Sequence, residues 1–345
     1  MKRKLWWQIP LLAFLVAGTL FIVWQQRSMP YQKNSGFVFG TFYNVTYQSE
    51  ENLHGEIETE LQKVDGALSM FNQQSVISHI NHGGQTVPDT EVGRMFLDVF
   101  RLAQQISKET DGAFDITVAP LVNAWGFGFK NEEMPTQHVI DSLLQFVGYQ
   151  HLSSSQKGNE VIINKTDPRI MIDCSAIAKG YGTDVVASLL RKHGIRNYMV
   201  EVGGEVVTKG VNPNRVPWNI GVAKPVDDTV STKSEVLTIL NVTDRAMATS
   251  GNYRNFYIKG GRKYAHTIDP KTGFPVQHSL LSATVLSDNC AVADAYATAF
   301  MVMGVEQAKA VLEKHTELQG YFIYTDPQGQ LAVWFSPALK EKIND

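Results

Sequence analysis

The order in which strand and helix patterns follow one another constrains this chain most. "FVFGTFYNVTYQ" alternates and is rich in aromatic and β-branched residues, so a strand is expected after a polar linker over about residues 25–35. Ile57, Leu61, Val64 and Leu68 then recur at helical spacing, as do Val92, Phe96, Val99 and Ala103 in a second helix that "DG" closes at Gly112. "VIDSLLQFVGY" predicts a short helix, and the strands "EVIIN" and "RIMID" lead into a helix from Ser175 to Lys192. Strands dominate from there: "NYMVEV", "EVVTKG", "WNIGVA", "EVLTILNV", "SATVL", and the hairpin "NFYIKGGRKYAHTID" turning at Gly260-Gly261. Two helices, "NCAVADAYATAFMVMG" and "VEQAKAVLEKH", and a hairpin, "GYFIYTDPQGQLAVWF", finish the chain. Strict βαβ alternation is absent, so the expected class is α+β, mixed sheets with packed helices, rather than a doubly wound sheet.

The N-terminus reads differently. Met1-Lys2-Arg3-Lys4 precedes an almost uncharged run from Leu5 to Trp24, interrupted only by Gln8 and Pro10. About 20 apolar residues suffice to cross a bilayer. The leading basic cluster would keep the tail in the cytoplasm and the body outside it. A cleaved signal peptide competes, since Val16-Ala17-Gly18 is rich in small residues, but the run continues well past that site and favours a retained anchor. The expected division is residues 1–29 as anchor or signal plus linker and 30–345 as one domain. No Cys follows the run, which argues against a lipid anchor. A net charge of −3 without a basic stripe argues against nucleic acid as a partner. Cys174 and Cys290 are expected to be buried small apolar residues.

Asp294 stands in a helix otherwise made of Ala, Val, Tyr, Phe and Met, where an ionised carboxylate is costly unless paired or bound to a cation. Thr298, four residues on, shares its face, and the two make an all-oxygen half-site of the kind Mg²⁺ takes. The alternative is a buried Asp satisfied by backbone amides. His266 ends a strand beside the turn "DPKTG", placed either for structure or for proton transfer. "DCSAIAKGYGTD" has Lys179-Gly180 in the wrong order for a P-loop, and Ser175 and Lys179 are one residue too far apart for Ser-x-x-Lys. What remains is a strand-to-helix turn whose free amides, with Lys179 one turn in, can meet an anion. Gly203-Gly204 and "ATSGNYRNF" read as further turns.

In order, "GTFY", "SMFNQQSVISHIN", "GAFDITVAPLVNAWGFG", "DCSAIAKGYGTD", "VEVGGEV", "ATSGNYRNF", "HTIDPKTGFPV" and "ADAYAT" resemble the ApbE family, the FAD:protein FMN transferases. The resemblance implies an ApbE-like α+β fold and a magnesium-dependent enzyme on the periplasmic side of the bacterial inner membrane. It implies cleavage of FAD, release of AMP, and a phosphoester bond from FMN to a Thr or Ser hydroxyl of a target protein. Targets in the family include subunits of the sodium-pumping NADH:quinone reductase and the Rnf complex. By motif, Asp294, Thr298 and the carbonyl of Ala176 would hold Mg²⁺; Phe39, Met70, Phe71, Asn72, Asp115, Lys179 and Ile268 would contact FAD; and His266 would move the proton. Phe39 departs from the Met found in many members. FAD hydrolysis to FMN and AMP, and flavin binding without turnover, are the competing activities.

Overall fold

Eight strands form one sheet in which spatial order follows chain order: β1 (Tyr31–Val38), β2 (Thr41–Gln48), β3 (Tyr198–Val202), β4 (Glu205–Lys209), β5 (Ala246–Gly251), β6 (Leu280–Ser287), β7 (Gln319–Thr325) and β8 (Leu331–Phe335). Neighbours pair antiparallel throughout. These positions come from a computed structural model that describes residues 8–128, 134–158, 160–225, 235–253 and 255–344. The helices used below are α1 (Gln8–Ser28), at the N-terminus, and α2 (His54–Leu68), α3 (Glu91–Glu109), α4 (Ala178–Lys192) and α5 (Cys290–Met303), which form the helical layer over the sheet. The α+β class and its mixture of sheet and packed helices are as expected.

One face of the sheet is covered by helices. Ile57 and Leu61 of α2 meet Val186 and Leu190 of α4 and Tyr43, Val45 and Val200 of the sheet in one buried cluster. Phe96, Val99 and Ala103 of α3 join Ala293, Ala297 and Phe300 of α5 in a second. Each large side chain so buried contributes roughly 1.5–3 kcal/mol. α5 lies on β5 and β6 and against α4, whose other side carries α2. The apolar spacing of α2 and α3 therefore reports the faces that the core requires. Cys174 and Cys290 are buried and free, as expected of small apolar residues.

Four local expectations are corrected. "FVFGTFYNVTYQ" is a hairpin, because Phe39 (φ 51°) and Gly40 (φ 73°) form the two-residue loop between β1 and β2. The polar stretch before it, from Tyr31, is β1 rather than linker. "RIMID" is not a strand: Arg169 lies in a turn, and the side chain of Asn81 takes both the N–H and the carbonyl of Ile172. "ATSG" is the second part of β5 in mid-sheet, a strand whose Ala246, Met247 and Ala248 are buried. The expected membrane anchor lies partly outside the described residues. Among the described residues no helix is long and apolar enough to cross a membrane. The described apolar side chains of α1, Leu11, Leu12, Phe14 and Leu15 among them, are exposed.

Candidate active site

A cavity of about 740 Å³ is lined by residues of the helical layer and of the sheet together, and it collects Met70, Phe71, Asp115, Ala176, Lys179, His266, Ile268, Asp294 and Thr298. Segments distant in sequence supply these groups. Phe39 and Asn72 are not in its wall. The Phe39 ring packs toward Gly182, where an added Cβ would come within 2.7 Å of it. The Asn72 side chain is used locally: it donates to Asp65 (2.8 Å) and accepts from the N–H of Gln74 (3.0 Å).

The crossing of α4 and α5 sets the position of Asp294. At Gly180 an added Cβ would lie 2.4 Å from the Cys290 carbonyl oxygen and 2.8 Å from Asp294 Cβ, so only glycine allows this approach. The Gly180 N–H donates to Asp294 Oδ2 (3.0 Å). It is thereby withdrawn from the carbonyl of Ala176, four residues earlier, on which no hydrogen bond falls among the described residues. Asp184, one turn further along α4, accepts from the N–H groups of Cys290 and Ala291, both at 2.9 Å, and so caps α5 from outside. Burial pushes the Asp184 carboxyl up to about 6 against the pull of those two amides.

Most of the N–H groups in the turn before α4, where the sequence suggests an amide cradle, are already taken within the protein. The N–H groups of Ile177 and Ala178 go to the Cys174 carbonyl, that of Ser175 to Asp173, and that of Gly180 to Asp294. Lys179 is also engaged: it donates to Glu205 Oε1 and lies 3.7 Å from Asp294 Oδ1. Burial pulls the Lys179 ammonium down, but Asp294 and Glu205 outweigh it and hold the group charged. Burial raises both carboxyls, and Lys179 opposes that rise.

The donor set fits a divalent cation. Asp294 offers a carboxylate, Thr298 a hydroxyl 3.2 Å from that of Ser250, and Ala176 a carbonyl with no donor on it. This is an all-oxygen set short of full coordination, as Mg²⁺ accepts when waters and phosphate complete it. Among the described residues no cluster of three or more His, Cys, Asp or Glu offers another metal site.

His266 Nδ1 stands 3.2 Å from the carbonyl oxygen of Asn255. A carbonyl can only accept, so Nδ1 carries the hydrogen and Nε2 is left with a lone pair. Burial lowers the pKa of this imidazole, favouring that neutral form. Phe127 meets the His266 ring edge-on and continues into a stack with Tyr257, Tyr264 and Trp125. Asp115 accepts from the N–H and hydroxyl of Thr117 and the N–H of Tyr149. Its first role is therefore to shape the loop that forms one wall.

The sequence and the fold around this cavity are matched in known proteins. The profile of the ApbE family fits residues 39–322. The chain belongs to the ApbE family. A FAD:protein FMN transferase of Escherichia coli K12 is 32% identical over 342 residues, 95% of each chain. One from Vibrio cholerae is 39% identical over 287 residues, covering 81% of this chain and 83% of its own. The solved flavin transferase ApbE of Vibrio cholerae superposes with a TM-score of 0.78 at 35% identity, covering 91% of this chain and 99% of its own. The flavinyl transferase of Pseudomonas stutzeri, in its apo form, gives 0.78 at 31% identity.

Three residues of the site escaped the sequence reading. Glu205 sits where strand alternation calls for an apolar side chain, directly after Gly203-Gly204, and that mismatch was the available signal. Asp184 marked only the end of a motif, because its partners lie on another helix. Ser250 was hidden inside a segment taken for a turn.

Proposed function

We propose that this chain is a FAD:protein FMN transferase that cleaves FAD, joins FMN to a Thr or Ser hydroxyl of a target protein, and releases AMP. The observation that carries the reading is the lone pair of His266 Nε2 in the same cavity as the oxygens of Ala176, Asp294 and Thr298. A hydroxyl is a weak nucleophile at neutral pH, so its proton must pass to a base as the bond to phosphorus forms. His266 takes that proton at Nε2, while its Nδ1–H stays on the Asn255 carbonyl and fixes the ring. The FMN-side phosphorus exchanges its bond to the AMP oxygen for one to the target oxygen. When bound by Asp294, Thr298 and Ala176, Mg²⁺ supplies charge neutralisation for the pyrophosphate. Lys179 adds a fixed positive charge beside that site. Positioning and charge account for most phosphoryl-transfer catalysis, in keeping with a site that needs no covalent nucleophile.

The expected setting is the inner membrane, with the segment 1–29, part of which lies outside the described residues, as anchor or signal and the domain on the periplasmic side. The expected targets are flavin-carrying subunits of sodium-pumping NADH:quinone reductase or Rnf complexes. The test is incubation with FAD, Mg²⁺ and such a target domain, following target mass and AMP. A covalent FMN increment supports transfer, AMP alone indicates hydrolysis, and neither product indicates a flavin binder.

A further inference from the structure

Lys179 and Glu205 meet because of a turn. β3 and β4 are joined by Gly203-Gly204 alone, with Val202 and Glu205 paired on either side. Gly203 has φ 62°, and a Cβ there would lie 3.1 Å from Lys179 Cδ, so the bare glycine leaves room for the lysine stem. The first residue after the turn, Glu205, receives the ammonium on Oε1, while its buried Oε2 has no hydrogen-bond partner. Asp294 Oδ1 is 3.7 Å from the same ammonium, beyond hydrogen-bond reach. Lys179 thus stands between two buried carboxylates and is bonded to one of them. Closing on Asp294 instead would engage the oxygen that Gly180 leaves open.

We propose that Glu205 is a positioning residue that holds the Lys179 ammonium back from Asp294, keeping the open Asp294 oxygen available to a divalent cation. The inference rests on the cation site described under the proposed function. Its distinctive content is geometric, since the negative field of Glu205 would favour a cation wherever the lysine pointed.

The test is Mn²⁺ binding to the full-length protein, read from the paramagnetic resonance of free Mn²⁺ without turnover. Glu205→Gln should weaken binding roughly tenfold when Lys179 is present and less than about twofold in a Lys179→Met background, the non-additivity expected of groups in one network. Glu205→Asp keeps the charge but shortens the reach, and should weaken binding as Glu205→Gln does. Thermal melts would show that each variant is folded. Equal losses in both lysine backgrounds, or wild-type affinity in Glu205→Asp, would overturn the proposal and leave only a field effect. If Asp294→Ala does not change the Mn²⁺ affinity of the otherwise wild-type protein, the cation site itself fails and takes this inference with it.

Discussion

Gly180→Ala adds one methyl group at the crossing of α4 and α5. Its carbon would sit 2.4 Å from the Cys290 carbonyl oxygen, about 1 Å short of the 3.4 Å at which ordinary contact begins. The obstruction is backbone and cannot rotate away, so the two helices must part by a comparable distance. Overpacking of this kind costs about 1–3 kcal/mol, and replacing a helical glycine by alanine returns about 1 kcal/mol. The net loss of stability is therefore small, roughly 0–2 kcal/mol. The site suffers more, because Asp294 is carried on the displaced helix and its bond from the Gly180 N–H stretches. A 1 Å misplacement costs on the order of 100-fold in rate, near 3 kcal/mol of barrier. The expected variant is a folded protein with a slightly lowered melting temperature and a transfer rate about 100-fold down. Purified protein, urea unfolding and the target-mass assay supply both numbers. Wild-type transfer in a protein that carries the alanine would refute the claim that this crossing places Asp294.

Other consequences can be checked alongside. Asp294→Ala should abolish the response of transfer to added Mg²⁺; a wild-type rate across a magnesium titration would remove Asp294 from the metal site. Burial lowers the His266 pKa, so its basic form persists as pH falls, and the acid limb of kcat/KM should lie below 6.5. His266→Ala should remove that limb and most of the activity, and full activity at neutral pH would exclude it as the base. Asp184→Ala strips the cap from α5 and should destabilise the fold by about 2 kcal/mol in chemical denaturation. Because burial raises Asp184 to about 6, its ionisation in the folded state opposes stability, so the wild type should lose stability as pH rises through that value. In Asp184→Asn that contribution to the pH dependence should vanish.

Much of the fold was legible because the core writes a period into the sequence. The spacing of Ile57, Leu61, Val64 and Leu68 is the buried face of α2, and the mixed order of elements gave the class. Irregular backbone was less legible. Phe39 at positive φ is an unusual residue for a hairpin loop, so the β1–β2 turn looked like continuous strand. The Ile172 segment pairs with the side chain of Asn81, a long-range partner that leaves no periodic trace. Asp294 could be singled out because a carboxylate breaks an apolar helix, whereas Glu205 opens a strand directly after two glycines, where an acidic residue draws no notice. Of the occupied amides around Lys179, that of Gly180 goes to the distant Asp294 and could not be counted from that stretch alone.

The sheet zips in chain order, yet its cavity does not. One wall comes from chain between β2 and β3, another from residues after β4, and more from the stretch between β5 and β6 and from α5. Strand pairing alone does little to hold these excursions against one another. A molecule that spans them acts as a clasp, adding free energy that grows as RT ln(1 + [L]/Kd). Flavin nucleotides should therefore raise the protein's melting temperature even where no target is present to be modified.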